Sequence, residues 1–272
     1  MLLIEAVILG IVQGITEFLP VSSSGHLALF HALMNTTEDD SAFRLLFNVT
    51  VHMGTLVSVF IVLRKEIWGL IRRPFQRTSA AIIIATLPIV ATALLFRDHI
   101  RTLDENMIFL MAAFTLTGLL LLYADCVRRD HLTKEMKKLT LADALIVGFF
   151  QAVAIVPAIS RSGATTAAAL FRKLNRQDAA KFVFLLSIPA ILGAAVMEGM
   201  DLAAGGIVLT LEDSLNLLFG FIAALMSGYL AVSLFFSLIQ RAKLRYFSYY
   251  LFALAAFICI DTFVLQGMFF GN

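Results

Sequence analysis

Two long apolar stretches, at about 2–34 and 141–171, are each broken near the middle by proline, serine and glycine. The first break reads EFLPVSSSGH, and the second reads VPAISRSGAT. In a bilayer core no water can satisfy the backbone groups that such breaks set free, so irregular backbone there must be buried in protein or line a wet cavity. If the chain lies in a membrane, the two breaks restrict its fold more than any other feature.

The remaining apolar runs predict an all-α polytopic membrane protein. Hydrophobic residues make up 60% of the chain and charged residues 15%, far from the average of soluble proteins. Six runs are each close to the ~20 residues that a helix needs to cross the hydrocarbon core. They lie at about 43–63, 79–96, 106–124, 182–198, 215–238 and 246–267. No polar block is long enough to fold alone, so we expect a single membrane domain over residues 1–272.

The charged residues predict how these helices are oriented. All but four of the 21 Lys and Arg residues fall in four loops, at about 64–77, 125–140, 172–181 and 239–245. Because the cytoplasmic loops of membrane proteins carry an excess of Lys and Arg, these loops are expected in the cytoplasm. The loops predicted on the opposite side are acidic, at 38–40 and 212–213.

The two broken stretches are predicted to be re-entrant helical hairpins. The loop assignment places both ends of the first stretch outside and both ends of the second inside. An offset of 138 residues aligns five pairs, Gly10/Gly148, Gln13/Gln151, Ser22/Ser160, Ser24/Ser162 and Gly25/Gly163. The sequence therefore predicts an inverted-topology repeat, about 1–124 and 141–267 around a cytoplasmic loop at 125–140. In such repeats the interrupted helices meet near the bilayer midplane.

The second break contains an arginine at membrane depth. Arg161 is a permanent cation whose planar fork of donors suits phosphate oxygens, and it is costly in a bilayer without an anion. Ser160 and Ser162 flank it. Gly163 lets backbone N–H groups approach a ligand at a predicted helix start. These residues together are typical of an anion-binding site.

The first break supplies groups that complete such a site. Its hydroxyls and its small residue lie in one run, at Ser22, Ser23, Ser24 and Gly25. His26 can exchange a proton near neutral pH, and Glu17 can act as a base. Base, nucleophile and anion clamp suit phosphoryl transfer, in which positioning and charge stabilisation supply most of the catalysis.

Each of these residues also has a structural interpretation. Serines and glycines of membrane helices often only allow close helix packing, and Arg161 can pair with Glu17 in a structural salt bridge. His26 can be a packed, hydrogen-bonded histidine, while His52 within a span is a weaker candidate for supporting the site. A lipid flippase is the alternative function, because transporters use inverted repeats and need the anion site without a nucleophile.

The two breaks resemble one known family. GIVQGITEFLPVSSSGH together with PAISRSGAT closely resembles the bacterial undecaprenyl-pyrophosphate phosphatases, the bacitracin-resistance family, and the resemblance runs essentially end to end. It implies a multi-pass hydrolase of the bacterial cytoplasmic membrane whose site opens to the outer, periplasmic side. The implied reaction converts undecaprenyl pyrophosphate to undecaprenyl phosphate and inorganic phosphate. This recycles the lipid carrier for peptidoglycan synthesis and confers bacitracin resistance.

The resemblance also implies roles for individual residues. Glu17 takes the place of the key glutamate, and Ser23 that of the nucleophilic or phosphate-binding serine. His26 takes the place of the essential histidine, and Arg161 that of the phosphate-binding arginine. The surrounding hydroxyls also match, at Ser22, Ser24, Ser160, Ser162 and Thr165. A divalent cation, Mg²⁺ or Ca²⁺ with Glu17 as a ligand, is implied; no nucleic-acid partner is expected, and a homodimer is left open.

The sequence departs from the family pattern at two positions. Gln13, a candidate substrate-binding residue, stands where many members have Glu, which removes one anionic ligand from any metal site. Ala158 stands where the family usually has Gly, so the loop before Ser160 is expected to be less free to adopt a positive φ. The division of acid and base roles between Glu17 and His26 stays open at this stage.

Two acidic residues of the predicted helices have expected structural roles. Thr140 to Asp143 resembles a helix start, so Asp143 is expected to cap the helix that follows. Asp261 lies near the outer end of the last span and is expected to be exposed to water there.

Overall fold

The chain is helical throughout the part that the structure describes. A computed structural model describes residues 1–34, 41–101, 107–127, 129–205, 209–241 and 243–270, and within these ranges there is no β-strand. The α-helices are α1 Leu3–Phe18, α2 Ser23–Leu33, α3 Ser41–Val62, α4 Arg64–Arg72, α5 Arg77–Arg101, α6 Met107–Asp125, α7 Leu141–Val153, α8 Arg161–Phe171, α9 Arg176–Gly205, α10 Leu211–Arg241 and α11 Arg245–Phe263. The acidic run predicted at 38–40 lies outside the described residues.

Six of these helices are long and apolar enough to cross a membrane, which confirms the six predicted spans. They are α3, α5, α6, α9, α10 and α11. The largest difference is in α9, which begins at Arg176 rather than near 182. Hydropathy indicates only the part of a helix that lies in the hydrocarbon core, and α9 begins before that part. In its first turn the carboxylate of Asp178 accepts a hydrogen bond from the side chain of Asn175.

Both broken stretches form a helix, a break and a second helix, as the sequence predicts. The offset of 138 residues aligns the starts of α1 and α7, the starts of α2 and α8, and the ends of α2 and α8. Ser22 and Ser160 are the N-caps of α2 and α8, and their hydroxyls accept from the backbone N–H groups of Gly25 and Gly163. Re-entry into the bilayer and the inverted orientation stay predictions.

Small residues let the two helix pairs pack closely against spanning helices. A Cβ added at Gly14 of α1 would overlap Ser227 and the backbone of Ala224 in α10. A Cβ added at Gly148 of α7 would lie 2.5 Å from the carbonyl oxygen of Ala85 in α5. Such contacts let helix backbones approach closely in membrane proteins. Gly148, one of the glycines that the 138-residue offset pairs, is therefore needed for close packing between α7 and α5.

A buried carboxylate ties the second helix pair to the basic loops. Asp143 is inaccessible to solvent, and it accepts from Lys134 Nζ at 2.8 Å and from Arg172 Nε at 2.7 Å. It also forms the capping box with Thr140, which confirms the predicted helix start. Breaking one partner of such a buried pair leaves an uncompensated charge, which is strongly destabilising.

The expectation for Asp261 was wrong. Its side chain is buried, because the chain after α11 folds back and donates the backbone N–H groups of Phe269 and Phe270 to the carboxylate at 3.0 and 3.1 Å. The position of Asp261 near the end of the span did not reveal its burial, since the residues that donate to it follow the helix in sequence.

Candidate active site

The two breaks are hydrogen-bonded to each other in the centre of the protein. Ser24 Oγ of the first break accepts from the backbone N–H of Ala158 in the second, at 3.1 Å. Ser162 Oγ of the second break donates to the carbonyl oxygen of Leu19 in the first, at 2.8 Å. The two bonds involve serines that the 138-residue offset pairs. Backbone groups freed by one break are thus satisfied by the other.

Each break contains a residue in the left-handed region of backbone conformation. The φ angles are 73° at Ser22 and 63° at Ala158. An alanine in this region costs roughly 1–2 kcal/mol relative to ordinary helical geometry. The loop before Ser160 therefore does adopt a positive φ without glycine, and the bond from the Ala158 N–H to Ser24 helps to hold it there.

The carboxylate of Glu17 is the centre of the polar contacts. It is buried, and its Oε2 accepts from Ser23 Oγ at 2.6 Å and from Gln13 Nε2 at 3.0 Å. Gln13 lies one helical turn before Glu17, and Ser23 opens α2. A hydroxyl that donates to a carboxylate at this distance has the geometry of a nucleophile beside its general base.

Arg161 lies at the first position of α8 and faces the same carboxylate. Its Nη2 is 3.9 Å from Glu17 Oε1, and its Nη1 is buried with no hydrogen-bond partner among the described residues. The distance between the two side chains is therefore too long for a close bidentate salt bridge. A guanidinium with an unused donor is suited to binding an anion, which favours the anion-clamp interpretation over a purely structural ion pair.

A cavity opens beside this pair of charges. It is small, with room for about one water molecule, and its polar lining comes from Glu17, Gln151, Arg161, Ser162, Thr165 and Ser187. Its apolar lining is provided by Phe18, Val183 and Phe184. The chemistry of this lining, one cation beside an apolar wall, is suited to an anionic group that is attached to an apolar chain.

His26 contacts a residue that the sequence did not single out. Its Nδ1 lies 2.6 Å from the carbonyl oxygen of Ser22, and its Nε2 lies 2.6 Å from the hydroxyl of Tyr250 in α11. Both ring nitrogens are therefore engaged away from Glu17. The proposed sharing of acid and base roles between Glu17 and His26 stays a prediction; in this structure the hydroxyl of Ser23 donates to the carboxylate of Glu17.

His52 also approaches Glu17, as the weaker candidate of the sequence. Its Nδ1 lies 2.7 Å from the carbonyl oxygen of Asn48, and its Nε2 lies 3.7 Å from Glu17 Oε2. Because a carbonyl can only accept, the proton of a neutral imidazole is on Nδ1, which directs the Nε2 lone pair towards the site.

Several predicted ligand residues are engaged in local backbone bonds. The N–H groups of Gly25 and Gly163 bond to their own cap serines, and Thr165 Oγ1 bonds to the Arg161 carbonyl. A Cβ on Gly25 would meet the ring of Phe114 at 2.6 Å, so this glycine is required for packing. Ser160 donates its N–H to Thr117 Oγ1 at 3.2 Å. Their roles in substrate binding stay predictions.

The site lies about half-way along the spanning helices that surround it. His52, Thr117 and Ser187 are each near the middle of their helices, α3, α6 and α9. A helix that crosses the ~30 Å core has its midpoint near the bilayer centre. The polar groups are therefore at membrane depth.

The residues fit a divalent cation that takes most of its ligands from elsewhere. Among the described residues no group of three or more His, Cys, Asp and Glu side chains converges. Gln13 Oε1, however, is buried next to Glu17 without a hydrogen-bond partner in the described structure. Mg²⁺ commonly uses one or two carboxylates plus substrate phosphates and water. Among the described residues, Glu17 and Gln13 have oxygens suited to such a cation, and its binding stays a prediction.

Some site residues carried little sequence signal. Tyr250 and Ser187 lie within ordinary apolar spans, and only the folded packing of α11 and α9 brings them to the breaks. Gln151 was detectable, because it is the repeat partner of Gln13. It donates to the Ala85 carbonyl at 3.4 Å and lines the cavity.

Comparisons with known proteins identify the family of this chain. The model of the family described as bacitracin resistance protein BacA matches residues 6–257. The chain is 44% identical to a protein of Carboxydothermus hydrogenoformans named undecaprenyl-diphosphatase, over 94% of this chain and 96% of that protein. A Bacillus cereus protein named undecaprenyl-diphosphatase 3 is 42% identical over 96% of this chain and 97% of that protein. A Methanococcus vannielii protein named undecaprenyl-diphosphatase is 36% identical over 93% of this chain and 98% of that protein. With its motifs, its helices and nearly its whole length matched, this chain belongs to the bacitracin resistance protein BacA family.

Proposed function

We propose that this protein hydrolyses undecaprenyl pyrophosphate to undecaprenyl phosphate and inorganic phosphate. The observation that carries the proposal is the contact of Ser23 Oγ with the buried Glu17 carboxylate, next to a guanidinium with an unused donor. Recycling of the carrier for peptidoglycan synthesis and resistance to bacitracin follow from this reaction.

The relatives and the site chemistry both favour hydrolysis over lipid transport. The relatives described above are named as diphosphatases. A flippase requires the anion site at Arg161 but has no use for a hydroxyl that donates to a carboxylate at 2.6 Å. The nucleophile-and-base pair is thus the feature that distinguishes the two functions.

Arg161 binds and orients the pyrophosphate. The substrate enters laterally from the bilayer, so that its isoprenoid chain stays among apolar side chains while the headgroup reaches the cavity. Arg161 Nη1, which has no partner among the described residues, donates to a phosphate oxygen, and the guanidinium already in place stabilises the negative charge of the transition state. Positioning of this kind supplies most of the catalysis in phosphoryl transfer.

Glu17 is the general base of the first step. It removes the proton from Ser23 Oγ, or from a water in its place, as the oxygen attacks the terminal phosphorus. The new P–O bond forms while the bond to the bridging oxygen breaks, and undecaprenyl phosphate leaves with the electron pair. If Ser23 attacks, water then cleaves the phosphoserine and releases inorganic phosphate. Glu17 and Gln13 would hold a divalent cation, which would supply charge neutralisation for the pyrophosphate when bound.

The proposed membrane arrangement is an inverted pair of re-entrant hairpins. In support, Asn216 near the start of α10 donates to the carbonyl of Met1 at 2.8 Å, so α1 begins at the end of the bundle that carries the acidic 212–213 turn. The second pair is anchored at the basic end by Lys134 and Arg172. We place the protein in the bacterial cytoplasmic membrane with the site open to the outer side; a homodimer is testable from its mass in detergent.

Phosphate release from the C55 pyrophosphate by purified protein in detergent tests the function directly. We expect stoichiometric inorganic phosphate, a loss of rate with a chelator and recovery with Mg²⁺. A flippase would release none, because it moves the lipid without breaking a P–O bond. In detergent there are also no two membrane sides between which it could move the lipid. Undiminished turnover in excess chelator would remove the cation from the proposal and leave hydrolysis standing.

Arg161→Ala is expected to abolish turnover, because it removes the anion clamp without touching the apolar spans. Arg161→Lys should also lose most activity, since a point charge cannot reproduce the bidentate fork. Steady-state kinetics on folded protein measures both, with Lys137→Ala, an exposed loop cation, as the control. Wild-type activity in the lysine variant would contradict the bidentate role.

Ser23→Ala and Glu17→Gln are each expected to lower kcat by about 10²–10⁴-fold, the range of a positioned base and its nucleophile. The double variant should lose little more than either single variant, because residues that act as one unit are non-additive. Ser233→Ala, an exposed serine bonded within its own helix, is the matched control. A loss of only about tenfold in Ser23→Ala would instead assign this serine to hydrogen bonding and make water the nucleophile.

A further inference from the structure

The hydrogen bonds of His26 determine which of its nitrogens carries the proton. The Ser22 carbonyl can only accept, so His26 Nδ1 donates to it across 2.6 Å. In the neutral imidazole Nε2 is then an acceptor, and the Tyr250 hydroxyl at 2.6 Å is the donor. The planes of the two rings are nearly parallel, at 12°, and Phe114 makes an edge contact with the imidazole. Tyr250 therefore completes the hydrogen bonding of a buried histidine.

This pair leads directly to the proposed nucleophile. His26 holds the carbonyl of Ser22, whose φ of 73° is a conformation that a serine rarely adopts unaided. The next residue is Ser23, whose hydroxyl donates to Glu17 at 2.6 Å, so the backbone of Ser22 sets the direction from which this hydroxyl approaches. A continuous chain of contacts thus runs from Tyr250 through His26 and Ser22 to Ser23.

We infer that Tyr250 is a positioning residue of the hydrolytic site, which acts through the orientation of the His26 ring. The inference rests on the proposed function. Packing does not require the hydroxyl, because the side chain is 46% exposed and the rest of its ring can remain in place as phenylalanine. Tyr249 next to it is 53% exposed and its ring contacts Tyr246, which makes it a matched control.

Tyr250→Phe tests this role. We expect kcat to fall about tenfold, the effect of one lost hydrogen bond, with KM for the lipid nearly unchanged and with wild-type kinetics in Tyr249→Phe. In a His26→Ala background the same change should have no further effect. Wild-type kcat in Tyr250→Phe, or an equal loss with and without His26, would overturn the inference.

A second readout does not need turnover. The chain has five histidines, so ¹⁵N-histidine NMR can follow His26, identified by its loss in His26→Ala. Wild type, Tyr249→Phe and Tyr250→Phe should all show the Nδ1–H tautomer that the Ser22 carbonyl fixes. Only Tyr250→Phe should shift the Nε2 resonance, because only that variant removes the hydrogen bond to Nε2. An unchanged Nε2 resonance in Tyr250→Phe would contradict the inference even if hydrolysis is confirmed; a shift without any hydrolysis would contradict the proposed function alone.

A separate observation concerns α4, which joins two spanning helices. It begins directly after α3 ends at Val62 and is followed by α5 at Arg77, so it lies at the surface of the bilayer. Its Ile67 and Leu70 pack on the protein core, whereas Trp68 is 54% and Ile71 62% exposed. Phe75, just beyond the helix, is fully exposed.

Cations surround these exposed apolar side chains. The segment 64–77 carries five exposed basic residues, Arg64, Lys65, Arg72, Arg73 and Arg77. The Arg72 guanidinium lies 5.0 Å above the Trp68 ring. The only carboxylate of the segment, Glu66, is paired with Lys181 of α9 at 2.8 Å. The basic charge of the segment is thus not cancelled by its own acidic residue.

We propose that residues 64–77 form a docking surface for anionic phospholipid headgroups of the leaflet that borders the basic loops. Exposed aromatic and aliphatic side chains beside Lys and Arg are the features of helices that lie in the headgroup region. Clustered basic residues next to a spanning helix attract anionic headgroups. Trp68, Ile71 and Phe75 enter the boundary of the acyl chains while the cations contact the phosphates.

The single tryptophan makes this surface directly observable, since the chain contains one Trp. The protein is reconstituted in phosphatidylcholine bilayers that contain the same fraction of brominated phosphatidylglycerol or of brominated phosphatidylcholine, and Trp68 emission is measured. We expect roughly twofold stronger quenching by the brominated anionic lipid, and loss of this preference at high ionic strength because salt screens exposed charges.

A matched variant replaces four of the five cations and keeps the Arg72–Trp68 contact: Arg64→Gln/Lys65→Gln/Arg73→Gln/Arg77→Gln. Its Trp68 emission should still be quenched by brominated lipid, but without a preference for the anionic lipid. Lys137→Gln/Lys138→Gln, in a different basic loop, should retain it. Equal quenching by both lipids in the wild type would overturn the anionic selectivity. Absence of quenching by either lipid would overturn the interfacial position of Trp68.

Discussion

The reciprocal bonds between the two breaks are the interaction on which the site depends. Ser24 satisfies the N–H of Ala158, and Ser162 satisfies the carbonyl of Leu19. Without such partners the broken backbone would be unsatisfied at membrane depth, at a cost of several kcal/mol per group. The hydrogen bonds that satisfy the backbone of the two breaks therefore also bring Glu17 and Ser23 next to Arg161.

The ion pairs near the basic loops differ in distance from the ion pair in the site. Asp143 and Asp125 near the basic loops are closely paired, with Arg172 at 2.7 Å and Arg245 at 2.6 Å. In the site, Arg161 lies 3.9 Å from Glu17, and its Nη1 has no hydrogen-bond partner in the part of the chain that the structure describes. The close pairs compensate the buried carboxylates near the helix ends, whereas the longer Arg161–Glu17 distance is compatible with the anion-binding role proposed above.

Local chemistry made much of the structure predictable. The six spans follow from continuous apolar runs, and the break positions follow from proline, serine and glycine. The caps Ser22, Ser160 and Thr140 bond to backbone groups three residues away, so their patterns are visible in sequence. Asp261 was misjudged because its partners lie in a segment that folds back after the helix.

The sequence by itself determined the helices, the two breaks, and a set of residues suited to phosphoryl transfer, because each depends on local composition and on motifs of a few residues. Only the tertiary structure decided the partners within that set. It paired Ser23 with Glu17, directed His26 to Tyr250 rather than to Glu17, and left one donor of Arg161 unused. The physical reason is that hydrogen bonds require atoms within about 3 Å, and across more than 200 residues of chain only the packing of α1, α2 and α8 against α11 and the other spanning helices sets such distances.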